Sequence, residues 1–82
     1  MTISIEKAKA LLDYQFKWAT SEAHWVEREL REFQGRLRKA IENKSDAYVA
    51  DLREMRPALQ KVSALVGEAN KEWVAEALAI IP

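Results

Sequence analysis

The hydrophobic residues in the first half of the chain recur in alternating steps of four and three. This spacing places side chains along one narrow line on an α-helix. Ser4 precedes the run in the position of a helix N-cap. Thr20-Ser21-Glu22 is able to cap a new helix, but the spacing keeps its phase there, so we predict one helix over about residues 4–42. This line, the first seam, consists of Leu12, Phe16, Ala19, Ala23, Val26, Leu30, Phe33, Leu37 and Ala40.

Asn43-Lys44-Ser45 has the composition of a tight turn, because asparagine often ends a helix and serine often caps the next one. The four-and-three spacing then resumes and predicts a second helix over about residues 46–80. Pro57 lies inside this helix, and its missing backbone N–H predicts a kink there. The second seam consists of Tyr48, Leu52, Met55, Leu59, Val62, Val66, Ala69, Trp73, Ala77 and Ile80.

A connection this short predicts an antiparallel helical hairpin. When the chain is folded at residue 44 or 45, every residue of the first seam meets an apolar residue of the second; Leu37 faces Leu52 and Phe16 faces Trp73. The sequence therefore predicts an all-α single domain over residues 1–82, a hairpin of two long helices packed like a coiled coil. Two helices bury only a thin core, so we expect two copies to dimerise into a four-helix bundle.

A second apolar stripe lies about 100° around the first helix from the first seam. It contains Leu11, Trp18 and Trp25 at intervals of seven residues, and Tyr14 borders it. Exposed tryptophans often mark interfaces. We therefore predict that these four residues bind a partner, which is a second copy of the chain or a larger protein. The alternative is that they fold into the protein's own core.

The chain has 13 basic and 13 acidic residues, so its formal net charge is zero. Proteins whose main role is to bind nucleic acid are usually basic. Residues 36–61, however, hold seven basic and four acidic side chains, a local net charge of +3 at the hairpin tip. A basic tip suits an antiparallel dimer with acidic ends, or alternatively contact with an anion or nucleic acid. The candidate contacts are Arg36, Arg38, Lys39 and Lys44.

The remaining charged residues suggest little chemistry. Glu68, Glu72 and Glu76 form an acidic row at spacing four, which is either a solvated face or a patch for a basic partner. His24 is the only histidine, and no cysteine is present, so we predict no catalytic residue, metal site or cofactor.

No segment has the roughly 20 apolar residues that span a bilayer, and we expect a cytoplasmic protein that does not contact membranes. The predicted function is that of a non-enzymatic protein–protein interaction module: an adaptor, an assembly factor or a phage- or mobile-element-type inhibitor of a larger protein. The alternative is a nucleic-acid-binding accessory protein that uses the basic tip.

Overall fold

The computed structural model describes residues 3–16, 24–43 and 46–82, which form helices and no β-strand. The third and fourth helices together make one bent helix, so the chain packs as a bundle of four units. Its Cα radius of gyration is 12.1 Å, close to the roughly 12 Å expected for a compact chain of this length. The helices are α1 (Ile5–Asp13), α2 (His24–Asn43), α3 (Asp46–Glu54), α4 (Arg56–Leu65) and α5 (Glu68–Ile80).

The predicted hairpin is present between α2 and the bent α3–α4 unit. The part of the first seam that lies on α2 is buried throughout, and so is most of the facing seam on α3 and α4. The four-and-three spacing therefore identifies the correct faces in this half of the molecule. The buried residues of the hairpin are Val26, Leu30, Phe33, Leu37, Ala40, Val49, Leu52, Met55, Leu59, Val62 and Val66.

The predicted bend at Pro57 is also present. The helix is interrupted at Met55, and Pro57 lies in the first turn of α4. A proline costs no hydrogen bond there, because the first N–H groups of a helix have no partner within it. Met55 bridges the interruption, since its N–H donates to Leu52 and its carbonyl accepts from Leu59. α3 and α4 thus remain one bent unit.

The prediction of one continuous helix over residues 4–42 is wrong. Ser4 caps α1 as predicted, with its Oγ 3.4 Å from the Lys7 nitrogen. The helix ends at Asp13, however, and Tyr14 is extended (φ −67°, ψ 134°). α1 turns back to pack against α2 and α5, which buries apolar surface that a long hairpin would leave in water. The predicted seam positions Ala19 and Ala23 lie outside the described residues.

The prediction of a second helix running to residue 80 is wrong beyond Leu65. Val66 and Gly67 are extended, with ψ angles of 146° and 161°. The chain reverses there, and α5 packs against α4 and α1. The buried face of the last helix is wider than predicted, because Val74, off the predicted seam, is fully buried together with the seam residues Trp73 and Ala77. The buried residues of α5 and its end are Asn70, Trp73, Val74, Ala77 and Ile81.

These two reversals remove the reason for expecting a dimer. The monomer forms its own packed bundle, with the four-helix arrangement assembled inside one chain. Self-association stays a prediction, but the stability of the fold no longer requires it. No helix in the described residues is long and apolar enough to cross a membrane.

Replacing Val74 with alanine distinguishes this fold from the predicted hairpin of two long helices. Val74 is 0% exposed and Leu65 is 60% exposed, whereas both lie off the seam of a continuous helix. We expect Val74→Ala to lower the free energy of unfolding by about 2 kcal/mol, because it leaves a cavity in the core. Leu65→Ala, the control, should change it by less than about 0.5 kcal/mol. Urea unfolding measures both, and equally small effects would contradict the burial of α5 described above.

Candidate functional site

The end of α1 is held by side chains from two other helices. The Leu11 carbonyl is among the last four of the helix, which lack partners within it. Gln34 Nε2 on α2 donates to it at 3.1 Å, and Trp73 Nε1 on α5 donates to it at 3.1 Å. Gln34 also lies 3.4 Å from the Tyr14 carbonyl. These bonds fix α1 against both α2 and α5.

We call these hydrogen bonds of Gln34 and Trp73 to the end of α1 the anchor. A buried polar contact lies next to it. Asn70 is 0% exposed, and the Tyr14 hydroxyl donates to its Oδ1 at 3.2 Å. Buried amides need such partners, because an unsatisfied polar group in a core costs about 1–3 kcal/mol. The ring of Trp73 lies beside this pair and packs edge-on against Phe16 and Phe33, with centroid distances of 4.8 and 5.9 Å. Polar and aromatic contacts therefore both centre on Trp73.

The predicted partner-binding stripe does not form one continuous surface. Leu11 is 2% exposed and belongs to the core, and Tyr14 is partly buried against the core through the contacts above. For these two residues the structure agrees with the alternative, that they fold into the protein's own interior. Trp18 lies outside the described residues. Trp25 is partly buried, with part of its side chain at the surface.

Trp25 lies in a surface patch that we call the Trp25 surface, formed by Trp25, Lys61 and Leu65. Lys61 Nζ lies 5.6 Å from the centroid of the Trp25 ring, a cation–π contact. Leu65 follows Lys61 by one helical turn on the same face of α4, and it is 60% exposed. Trp25 also packs against the core. The patch therefore consists of a partly exposed tryptophan in contact with Lys61 and an exposed leucine one turn beyond that lysine.

A groove of about 420 Å³ runs between α1 and α5. The two helices are antiparallel, since Tyr14 contacts Asn70 and Leu11 contacts Trp73. Exposed alanines on both helices leave the groove open, and most of its surface is apolar. Its lining residues are Glu6, Lys7, Ala10, Leu11, Glu76, Ala79 and Ile80.

The structure describes three of the four candidate contacts of the basic tip. Arg36 forms ion pairs within the chain, with Glu32 at 3.0 Å and Glu54 at 3.8 Å. It also donates a hydrogen bond to the Asp51 carbonyl. Arg38 and Lys39 are exposed, and Lys44 lies outside the described residues.

Two other arginines of the basic tip have structural contacts near the end of α5. Arg53 donates to the Pro82 carbonyl at 3.2 Å, and Arg56 donates to the Ile81 and Pro82 carbonyls. Cations are favourable beside the carbonyls at the end of a helix. The sequence pattern contained no signal for this contact, which depends on the reversal after Leu65.

His24 is exposed at the first turn of α2. Among the described residues no group of three or more histidine, cysteine, aspartate or glutamate side chains is placed to hold a metal ion. Comparison of the chain with protein-family models, curated proteins and solved structures finds no match.

Replacing Tyr14 with phenylalanine tests the buried polar contact next to the anchor. We expect Tyr14→Phe to lower the free energy of unfolding by about 1–2 kcal/mol, because buried Asn70 loses the hydroxyl donor. Tyr48→Phe is the matched control: Tyr48 packs against the same core, and its hydroxyl makes no hydrogen bond within the described residues, so the change should be below about 0.5 kcal/mol. Chemical denaturation distinguishes the two, and a Tyr14→Phe protein as stable as the parent would refute the role of this bond.

Proposed function

We propose that the protein is a non-enzymatic protein–protein interaction module, an adaptor, assembly factor or inhibitor that binds a larger protein through the Trp25 surface. The single observation that supports this proposal is the exposure of Leu65, one helical turn from the lysine that contacts Trp25. Among the described residues Leu65 is the most exposed of the large hydrophobic side chains, and it follows Lys61, the residue that contacts the Trp25 ring, by one turn of α4.

The composition of this patch is that of an interface centre. Tryptophan is enriched among the residues that dominate binding free energy, because its large ring buries much apolar area. Fully burying a leucine side chain contributes about 1.5–3 kcal/mol. Because Leu65 is mostly exposed in the fold, its side chain contributes little of this free energy to folding. Most of it is therefore available to a partner that covers Leu65.

The Trp25 ring is also positioned before any partner binds. Its contacts with the core and with Lys61 restrict its rotamers. Ordering a flexible side chain at an interface costs about 0.5–1.5 kcal/mol, and a ring that is already held avoids much of that cost. The partner that binds the Trp25 surface could itself be a second copy of the chain. The predicted homodimer is therefore one version of this proposal.

Binding of nucleic acid by the basic tip is supported less well. The ion pairs of Arg36 with Glu32 and Glu54 must break or be shared before it contacts a phosphate. Among the described candidate contacts this leaves Arg38 and Lys39, a small set compared with the roughly 6–10 phosphate contacts of a typical DNA-binding protein. The Trp25 surface is therefore the preferred site.

Photo-crosslinking from Ala64 tests the proposal in the native cell. Ala64 is exposed beside Leu65, and the exposed Ala50 on α3 provides a matched control position. We expect a photoreactive residue at position 64 to give a discrete adduct that position 50 does not give. An adduct of twice the chain mass would identify the partner as a second copy.

The substitution Leu65→Lys should then reduce the adduct by about tenfold, as expected for loss of an interface centre. Gln60→Lys places the same charge at another exposed position of α4 and should leave the adduct unchanged. If positions 64 and 50 give the same products, or if both lysine variants behave alike, the Trp25 surface is not the binding site.

A further inference from the structure

The groove between α1 and α5 is a second surface, separate from the Trp25 surface. It is open because small residues, Ala10 on α1 and Ala79 on α5, line it together with the apolar Leu11 and Ile80. A volume of about 420 Å³ lies within the range of roughly 300–1,000 Å³ that is typical of ligand pockets. Aliphatic side chains of a partner therefore fit between the two helices.

The charges at the rim favour a cationic partner. Glu6 and Glu76 lie on opposite sides of the groove, and Lys7 is the one basic residue in its lining. Glu72 extends the acidic side one turn along α5. Within the described residues neither Glu72 nor Glu76 has an ion pair. Like charges at spacing four destabilise a helix by a few tenths of a kcal/mol, and a basic partner would relieve that repulsion.

The shape of the groove favours a helical partner. Its walls are two antiparallel helices, and a third helix packs naturally into such a channel with apolar residues at spacings of three and four. The described residues contain no β-strand and hence no sheet edge to which an extended peptide could add. The same acidic rim repels phosphate groups, so an anionic membrane or a nucleic acid is an unfavourable occupant.

We propose that the α1–α5 groove binds an amphipathic, cationic helix of a partner protein. Aliphatic side chains of that helix enter between Ala10 and Ala79, and its lysine or arginine side chains face Glu72 and Glu76. This site is independent of the Trp25 surface, and a partner protein is able to contact both.

Binding of a synthetic helix to the full chain tests this proposal. The probe is an amphipathic peptide of leucine and lysine, and the control peptide carries glutamate in place of lysine. We expect only the lysine peptide to bind, with chemical-shift changes centred on Ala10, Ala79 and Ile80.

Two substitutions then test separately how the shape of the groove and the charge of its rim contribute to peptide binding. Ala79→Trp fills the groove and should weaken binding by about tenfold. Glu76→Lys should weaken it by about threefold, as rim charges do. Glu42→Lys makes the same charge change at an exposed position of α2 away from the groove and should have no effect. Circular dichroism verifies that each variant is folded.

Three results would overturn the proposal: equal binding of the two peptides, full binding by Ala79→Trp, or equal weakening by Glu76→Lys and Glu42→Lys, which would indicate non-specific charge attraction. Leu65→Lys, which disrupts the Trp25 surface, should leave peptide binding unchanged. The failure of one surface is thereby distinguished from the failure of the other.

Discussion

The arrangement of the helices depends on one backbone group, the carbonyl of Leu11. It lies in the last turn of α1, where carbonyls have no partner within the helix, and leaving it buried and unbonded would cost about 1–3 kcal/mol. Gln34 and Trp73 both donate to it. Because these donors come from α2 and α5, a single acceptor joins the N-terminal helix to the hairpin and to the C-terminal helix. Apolar packing alone does not supply this directional restraint.

The anchor requires the chain to reverse after Leu65. In a continuous helix Trp73 would lie eight residues beyond Leu65 along the same helix axis, a distance of about 12 Å. The extended backbone at Val66 and Gly67 instead turns α5 back toward α1. Trp73 then reaches Leu11, and Asn70 reaches Tyr14. The reversal and the anchor therefore depend on each other. The reversal brings Trp73 and Asn70 to α1, and their hydrogen bonds with Leu11 and Tyr14 hold α5 in the reversed position.

The sequence predicts the α2 to α4 half of this fold because its boundaries carry local signals, the residues Asn43-Lys44-Ser45 between α2 and α3 and the proline at position 57. It does not predict the break after Asp13, because Leu12 and Phe16 pack against the core in the globule just as they would in a long helix. The predicted contact between Phe16 and Trp73 is present, although the helices that carry it are broken. α5 is apolar on several sides, so spacing alone could not choose the buried face that includes Val74. For the candidate site, the spacing of seven placed Leu11 and Trp25 on one stripe, but it could not show that Leu11 is buried where α1 packs against α2 and α5.

The same anchor also shapes the surfaces that remain outside the core. Gln34 and Trp73 hold the end of α1, and this sets the spacing between α1 and α5, where Ala10 and Ala79 leave a groove. The reversal that brings Trp73 into place also ends α4 at Leu65, whose side chain is 60% exposed. A fold whose core is completed within one chain does not need an exposed leucine for its stability. The stability of the fold therefore does not explain the side chains that the anchor and the reversal leave outside the core.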